Sequence, residues 1–317
     1  MRRRIWTRLA TFAASLLAAT ALIFWVTNAL PGNVAAAILG VNASPGEVEK
    51  LSHELGLDRP WLVRYSEWVW GLMRGDFGTS IASGDLAGPE IGERLSVTGW
   101  LVGFGMIGAM ILAVPLGAFA AIKRRRASGF AASALSQVGL SVPAFWLGLL
   151  LVLLFAVRLR WLPANGYVPL SEDPGAWARH LVLPVASLAL VQAAVLSRYV
   201  RSAVIEVLNE DYYRTARSIG WSQIGALVRH GSRNIALSVI TVLALQLATL
   251  LVGAIIIEQV FALPGLGTLL LSAVGLRDLV VVQGIVFVLV FAVLTLNLIT
   301  DLAYLAIDPR LRTRGRP

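Results

Sequence analysis

The chain reads Asp211-Tyr-Tyr-Arg-Thr-Ala-Arg-Ser-Ile-Gly220-Trp-Ser-Gln-Ile-Gly-Ala-Leu-Val-Arg-His-Gly-Ser-Arg233 between two apolar segments of membrane-spanning length. This stretch is polar, and its glycine at position 220 is placed to end one short helix. Ser222 can then cap the start of a second short helix. A pair of short polar helices between two spans is typical of a membrane subunit that presents a surface to a soluble partner.

The apolar segments on either side belong to a set of six that carry no charged side chain. Of the 317 residues, 57% are hydrophobic and 14% are charged, and the mean hydropathy is +0.75. Each segment is long enough to cross about 30 Å of hydrocarbon at roughly 1.5 Å per residue, and such uninterrupted runs are helices in lipid. We therefore predict an all-α membrane protein, one polytopic domain with six transmembrane helices at 9–30, 98–122, 130–157, 181–197, 235–257 and 280–300.

The basic residues predict which side of the membrane each loop occupies. The net charge is +9, and 18 of the 27 lysine and arginine residues fall in four groups: Arg2, Arg3, Arg4 and Arg8; Lys123, Arg124, Arg125 and Arg126; Arg198, Arg201, Arg214, Arg217, Arg229 and Arg233; and Arg310, Arg312, Arg314 and Arg316. If six spans alternate, all four groups lie on one side, which the positive-inside rule makes cytoplasmic. We expect both termini and the 198–234 loop inside and the 31–97 loop outside. The pattern excludes a nucleic-acid partner, because no basic stripe interleaved with aromatic residues occurs in a soluble segment.

The first apolar segment also has features of a signal peptide, namely a basic start and Val34-Ala-Ala-Ala37 as a possible cleavage site. Its apolar run is longer than a typical signal-peptide core, and five further spans follow it. We interpret it as an uncleaved first helix.

The outer loop at 31–97 contains signals of ordered structure. Ser44-Pro45-Gly46-Glu47 fits a capping box at the start of a helix, and Gly56 is placed to end that helix. After Pro60, Trp61, Tyr65, Trp68, Val69 and Leu72 recur at helical spacing. This second stretch suits a helix packed on the spans or lying in the headgroup zone.

A second segment of interest lies between the last two spans, where we predict an external gate formed by Glu258, Phe261, Pro264, Gly265 and Gly267. A Pro-Gly turn ahead of the short apolar run at 268–274 indicates a re-entrant or interfacial element on the outer face. Non-helical backbone at that depth is tolerated where protein buries it or where it lines a cavity.

Motifs for catalysis are absent from the sequence. It has no phosphate-binding G-x-x-x-x-G-K-[ST] loop, no H-E-x-x-H pair, no G-x-S-x-G elbow and no cysteine. We therefore expect no catalytic residue, no metal site and no cofactor in this chain. The spans also lack the central acidic residue typical of a proton-driven carrier, which favours an energy source on another subunit.

The 211–233 stretch resembles the cytoplasmic "EAA" loop of ABC importer permeases in the dipeptide, oligopeptide and nickel branch. Further likeness to the first of that branch's two permease subunits runs nearly end to end. It is carried by Leu30-Pro-Gly32, Glu54-Leu-Gly-Leu-Asp58, Arg74-Gly-Asp-Phe-Gly-Thr-Ser80, Ser141-Val-Pro-Ala-Phe-Trp-Leu-Gly148, Arg160-Trp-Leu-Pro163, His180-Leu-Val-Leu-Pro184, Pro264-Gly-Leu-Gly267, Val282-Gln-Gly284 and Asp308-Pro-Arg310. The sequence departs from the branch at Ile219, at Ser238, and at Asn33 and Val34.

This resemblance implies a type I importer permease fold in a bacterial or archaeal cell membrane. The implied partners are a second homologous permease, two ATPase subunits or one fused ATPase that carry ATP and Mg, an extracytoplasmic substrate-binding protein, and membrane lipid. It also implies that the ATPase is contacted through Asp211, Tyr212, Arg214, Thr215, Ala216, Arg217 and Gly220. The expected cargo is a dipeptide or oligopeptide, with nickel or another small solute as the alternative within the family. A stand-alone secondary transporter or channel is the alternative outside it.

We predict that reporter fusions placed after Arg126 and after Arg233 will report a cytoplasmic location. A fusion placed after Asp85 will report the exterior, because Asp85 lies in the 31–97 loop, on the opposite side of the membrane from the basic groups. Paired phosphatase and fluorescent-protein reporters at each site provide the measurement and control for expression. The inverted pattern would contradict the assigned topology.

Overall fold

A computed structural model describes residues 2–29, 39, 43–54, 56 and 58–307 of the chain. Its longer apolar helices are α1 (Arg2–Ala29), α4 (Ala87–Ile122), α7 (Pro174–Asn209), α10 (Ser232–Val260) and α12 (Leu279–Ile307). The shorter ones are α2 (Pro45–Glu54), α3 (Trp61–Met73), α5 (Ala127–Ser141), α6 (Ala144–Leu151), α8 (Asp211–Ser218), α9 (Gln223–Ala226) and α11 (Leu266–Gly275). No β-strand occurs among the described residues, apart from an isolated bridge between Thr79 and Leu86. The predicted all-α fold class is confirmed.

Within the described ranges, five helices are long and apolar enough to cross a membrane, or six if one bent pair counts as a single span. The bent pair is the predicted third span at 130–157, which is not one straight helix. It consists of α5 and the helical stretch Ala144–Arg158, in which a π-helical segment, Val152–Arg158, continues α6. The two arms meet at an angle of 100°, with Val142 extended between them (φ −95°, ψ 120°). Pro143 accounts for the break, because proline has no N–H to donate and disfavours a helical conformation in the residue before it.

Two predicted boundaries also differ from the helices. The 181–197 span lies inside α7, which continues to Asn209, so the first part of the predicted 198–234 loop is helical. Likewise, α4 begins at Ala87, within the predicted 31–97 loop. A charge-free run marks only the part of a helix in hydrocarbon, whereas the hydrogen-bonded helix extends beyond it. The proposed cleavage site at 34–37 and the Asp308-Pro-Arg310 motif lie outside the described residues.

The chain forms two compact units. The first comprises Thr98–Pro264 together with the chain from Leu296, and the second comprises Arg2–Val97 and Gly265–Thr295. In the first unit α7 packs against α5, α6 and α10. Glycines allow close approach there: a Cβ at Gly117 of α4 would lie 2.5 Å from the Ser197 carbonyl oxygen of α7. Close contact through small residues is how helices associate in lipid.

In the second unit, the predicted capping box at the start of α2 is present. The Ser44 N–H donates to Glu47 Oε2 over 2.9 Å, and the Glu47 N–H donates to Ser44 Oγ over 3.4 Å. The hydrogen bonds from the Ser44 backbone and side chain hold the pKa of Glu47 below its usual value. Gly56 follows the helix with φ +64°, a backbone conformation that glycine adopts without strain.

The predicted amphipathic helix after Pro60 is α3, which packs on α1 through aromatic side chains. Tyr65 OH lies 2.9 Å from Thr20 Oγ1, and the Tyr65 ring makes an edge contact with Phe24. Exposed Trp61, Trp70 and Met73 lie on the rest of its surface. Tryptophan is a typical residue of the membrane–water interface, so this surface suits the headgroup zone.

We predict that Gly117→Ala will lower the melting temperature of the purified protein by several degrees. The added methyl would collide with the α7 backbone, and such overpacking costs about 1–3 kcal/mol. Gly103→Ala is the matched control, because no atom lies within 4 Å of its Cβ position in the same helix. Thermal unfolding in detergent measures both variants. Equal effects would show that the close α4–α7 approach does not contribute to stability.

Candidate functional site

The 211–233 stretch folds as two short helices, as predicted. Glu210 is extended (φ −73°, ψ 145°) and separates α7 from α8. Asp211 lies in the first turn of α8 and Arg217 in its last turn, where each charge complements the helix dipole. The Thr215 and Ser218 hydroxyls donate to carbonyls of preceding residues in the same helix. These hydroxyls and charges therefore find partners within the helix itself.

One face of α8 is anchored to the membrane domain. Tyr213 and Ala216, three residues apart, are buried in a cluster with Val204 and Val207 of α7. The cluster also contains Ala121 of α4, Ala226 at the end of the second short helix, Leu227 directly after it, and Val239 of α10. A displacement of α8 would therefore act directly on α4, α7 and α10, whose residues pack in the same cluster.

The turn that ends α8 requires Gly220. The Trp221 N–H donates to the Ala216 carbonyl and the Gly220 N–H to the Arg217 carbonyl, each over 3.2 Å. These two bonds define a Schellman motif, in which the residue after the helix cap is left-handed. Gly220 has φ +99°, with no atom within 4 Å of its Cβ position. Glycine is needed here for its backbone conformation and not for lack of space.

Ser222 begins the second short helix, as predicted, by accepting a hydrogen bond from the Gly225 N–H over 3.0 Å. After α9 the chain passes through a π-helical turn, Leu227–Gly231, into α10. This turn lies close against α7, since a Cβ at Gly231 would be 2.5 Å from Val207 Cγ1. The segment that leads from α9 into α10 is therefore tightly packed against α7.

The residues predicted to contact a partner have different exposures. Asp211, Arg214, Thr215, Arg217 and Gly220 are exposed, and Tyr212 is half-buried and accepts a hydrogen bond from Asn234 Nδ2. Ala216 is only 4% exposed, so it anchors α8 and is not available at the surface. The guanidinium of Arg217 donates to the Trp221 carbonyl, which braces the turn around Gly220.

Three apolar side chains on this segment were not predicted as site residues. Ile219, Ile224 and Val228 are 71%, 67% and 62% exposed. Ile224 and Val228 are four residues apart, so helical spacing alone could have indicated a shared face. Large apolar side chains exposed on a polar segment indicate a surface that another protein covers.

In the predicted external gate, Glu258 lies at the end of α10 and is fully buried (0% exposed). The hydroxyl of Thr98 donates to its Oε1 over 2.6 Å. Along α10, Glu258 and the 211–231 segment are about 40 Å apart at roughly 1.5 Å per residue. The two predicted sites are therefore at opposite ends of one helix.

The chain after α10 turns through Phe261 and Ala262. The Leu263 N–H donates to the Glu258 carbonyl over 2.8 Å, and Ala262 has φ +50°, a left-handed conformation that costs a non-glycine residue roughly 1–2 kcal/mol. The Phe261 ring is buried against Gly148, and its carbonyl accepts from the Gly166 N–H. Phe261 is thus part of the packed core of its unit, and Pro264 is half-buried.

Gly265 and Gly267 belong to the second unit, where both are buried. The predicted short apolar helix at 268–274 is α11, which starts earlier, at Leu266, and packs with Ala87, Ile91 and Ile285. The buried carboxylate of Asp278, just beyond α11, accepts from the Ser80 hydroxyl and from the Ala82 and Val281 N–H groups. The role of this region as a gate stays a prediction.

Among the described residues, no group of three histidine or acidic side chains is placed to hold a metal ion. The 211–231 segment instead offers exposed arginines and exposed aliphatic side chains, which suit contact with another protein.

We predict that Thr98→Val will destabilise the protein by about 1–3 kcal/mol, because it removes a donor from a fully buried carboxylate without changing the side-chain shape. Thr98→Ser keeps the hydroxyl and serves as the control. Thermal unfolding of the two purified variants provides the measurement. If valine were tolerated as well as serine, this hydrogen bond would not hold Glu258 in place.

Comparison with known proteins agrees with this description. Residues 113–313 match the family described as binding-protein-dependent transport system inner membrane component, and residues 1–96 match the N-terminal region of such membrane components. A Brucella abortus (strain 2308) protein named for a peptide transport system permease is 40% identical over 312 residues, 98% of this chain and 99% of its own length. The glutathione transport system permease protein of Salmonella typhi is 36% identical over the same shares of both chains.

The solved structure described as an amino acid ABC transporter with histidines is 16% identical, with a TM-score of 0.49. The matched region spans 69% of this chain and 94% of the chain in that structure. This structural likeness is too slight to assign a family, whereas the sequence matches do assign one. The chain belongs to the binding-protein-dependent transport system inner membrane component family and is a multi-pass permease subunit of an ABC importer.

Proposed function

We propose that this permease forms half of the translocation pathway of an ATP-driven importer for dipeptides or oligopeptides. The names of the relatives at 40% and 36% identity, for peptide and glutathione transport, support this substrate class. Nickel or another small solute is the alternative cargo within the resemblance. Uptake of a labelled dipeptide, a labelled tripeptide and nickel by cells with and without the importer separates these cargoes.

The observation that supports a coupling role is that one face of α8 is packed on the membrane domain while the other face is exposed. Its inner face, Tyr213 and Ala216, is packed on α7, whereas Arg214 and Arg217 are exposed for a partner. We propose that a cytoplasmic ATPase subunit, which carries ATP and Mg, binds this exposed face. Closure of the ATPase pair would push α8, and the push would pass through the buried cluster into α7 and α10.

The proposed assembly contains a second homologous permease, two ATPase subunits or one fused ATPase, and an extracytoplasmic binding protein that delivers the cargo. It lies in a bacterial or archaeal cell membrane, with both termini of this chain in the cytoplasm. The grouping of 18 of 27 basic residues supports this orientation. The Glu258–Gly267 segment would shape the outer end of the pathway.

A stand-alone carrier or channel is the competing function. Such a protein has no need for the exposed Ile219, Ile224 and Val228 beside the arginines of α8, because nothing soluble would cover them. Co-purification distinguishes the two functions, since an importer permease brings an ATPase with it and a carrier does not.

We predict that Gly220→Val will leave the amount of protein in the membrane unchanged, abolish uptake and weaken association with the ATPase. Valine at φ +99° imposes strain of order 1–3 kcal/mol on a surface turn. Gly75→Val is the matched control: Gly75 has φ +77°, open space around it and the same two-bond turn at the end of α3. Uptake and ATPase pull-down are measured for both variants.

Within the same experiment, Arg217→Glu reverses a charge at the proposed interface, and Arg217→Gln controls for the lost hydrogen bond to Trp221. The glutamate variant will lose more ATPase than the glutamine variant, and the difference will be greater at low salt. If Gly220→Val and Arg217→Glu both keep full uptake, this segment does not couple ATP hydrolysis to transport.

A further inference from the structure

A groove of about 650 Å³ lies in the first unit, between the end of α4, most of the length of α5, and α7 around Ser197–Arg201. Three guanidinium groups line it, those of Arg124, Arg198 and Arg201. Phe130 and Val138 of α5 contribute apolar side chains to its wall. No acidic residue is among its lining residues. The groove therefore combines positive charge with apolar surface.

The positive charge of the groove is not neutralised by the described part of the chain. No carboxylate there lies within 4.0 Å of the three guanidinium groups. Arg124 makes only a long 3.5 Å contact with Asn209 Oδ1, and Arg198 lies over the ring of Tyr199. The Nε–H of Arg201 is buried and has no hydrogen-bond acceptor. A buried donor without an acceptor costs free energy, which a bound anion would recover.

The fold holds this groove in shape. A Cβ at Gly129 would lie 2.2 Å from the Lys123 carbonyl oxygen, so only glycine lets the 123–126 turn fold back against α5 and bring Arg124 to the groove. On the opposite wall, Ser197 Oγ of α7 lies 2.8 Å from Ser136 Oγ of α5, and both serines are buried. The arginines thus project from fixed backbone.

The groove also lies at the depth of lipid headgroups. Arg124 follows α4, whose apolar run ends at Ile122, and Arg198 follows the charge-free 181–197 run of α7. It is at the same end of the unit as α8, because Ala121 and Val200, next to these arginines, pack in the cluster that holds Tyr213. Basic pockets between spans at this depth suit the phosphates of anionic lipids.

We propose that this groove binds the phosphate headgroup of an anionic phospholipid. The guanidinium groups of Arg124, Arg198 and Arg201 donate to the phosphate oxygens, since their forked geometry matches a phosphate. Phe130 and Val138, both exposed, contact the first part of the acyl chains. A free anion would gain nothing from these two side chains, whereas a lipid uses both halves of the groove.

The bound lipid would stabilise α7, the helix on which α8 packs. Arg198 and Arg201 are on α7, within about two and a half turns of Val204 and Val207, which pack against α8. This consequence does not depend on which cargo the importer carries.

The test uses the complete importer, purified with its partner subunits in a neutral detergent and titrated with dioleoylphosphatidylglycerol. Bound lipid is counted by native mass spectrometry, with dioleoylphosphatidylcholine as the neutral comparison. The double variant Arg198→Gln/Arg201→Gln will bind phosphatidylglycerol about tenfold more weakly or worse, because each basic side chain contributes roughly a factor of five. Arg125→Gln/Arg126→Gln, which removes the same charge from the same end of the unit but outside the groove, will change binding less than about twofold.

Three results would overturn the proposal. The two double variants could lose phosphatidylglycerol equally, which would show a general effect of charge. Inorganic phosphate at 10 mM could displace the lipid completely or stabilise the importer as well as the lipid does, which would assign the groove to a free anion. Arg198→Gln/Arg201→Gln could release the second permease while lipid binding stays unchanged, which would make the groove a subunit interface.

Discussion

The burial of Tyr213 and Ala216 against α7 is the contact on which the candidate site depends. It places a polar, partly charged helix of eight residues at the end of a membrane domain and makes it mechanically part of that domain. An isolated helix of this length would be unstable in water. The packed face supplies the stability that the sequence of α8 lacks, and the opposite face remains exposed for a partner.

That contact requires α7 to extend beyond the hydrocarbon. The helix runs for 36 residues, from Pro174, where Asp173 caps it, to Asn209. Val204 and Val207 lie in its last turns and are buried under α8 and the turn that leads into α10. The same helix presents Arg198 and Arg201 on another face. One helix therefore connects the spans, the 211–231 segment and the basic groove.

Sequence patterns predicted the parts of this structure that local chemistry determines. The capping box at Ser44 and Glu47, the glycine turn at Gly220 and the cap at Ser222 depend on a few neighbouring residues, and all three are present. The patterns did not predict the 100° bend between α5 and α6, because Pro143 lies in a charge-free run that hydropathy treats as continuous. They also did not distinguish Ala216, which is buried, from its exposed neighbours, because its burial comes from packing against Val204 and Val207 of α7, which the composition of α8 does not show. The sequence pattern of Arg124, Arg198 and Arg201 indicates topology alone, because their convergence in one groove depends on how α4, α5 and α7 pack.

The length of α10 has a mechanical consequence. Its 29 residues join the turn after α9 to the buried Glu258 without an internal proline, so the helix acts as a lever arm of about 40 Å. A tilt of only about 5° at the end next to α9 would displace the opposite end by roughly 3–4 Å, by the geometry of a rod of that length. This displacement is comparable to the width of a water molecule. A small rotation of α10 beside α8 is therefore enlarged along the helix into a shift of several ångströms around Glu258.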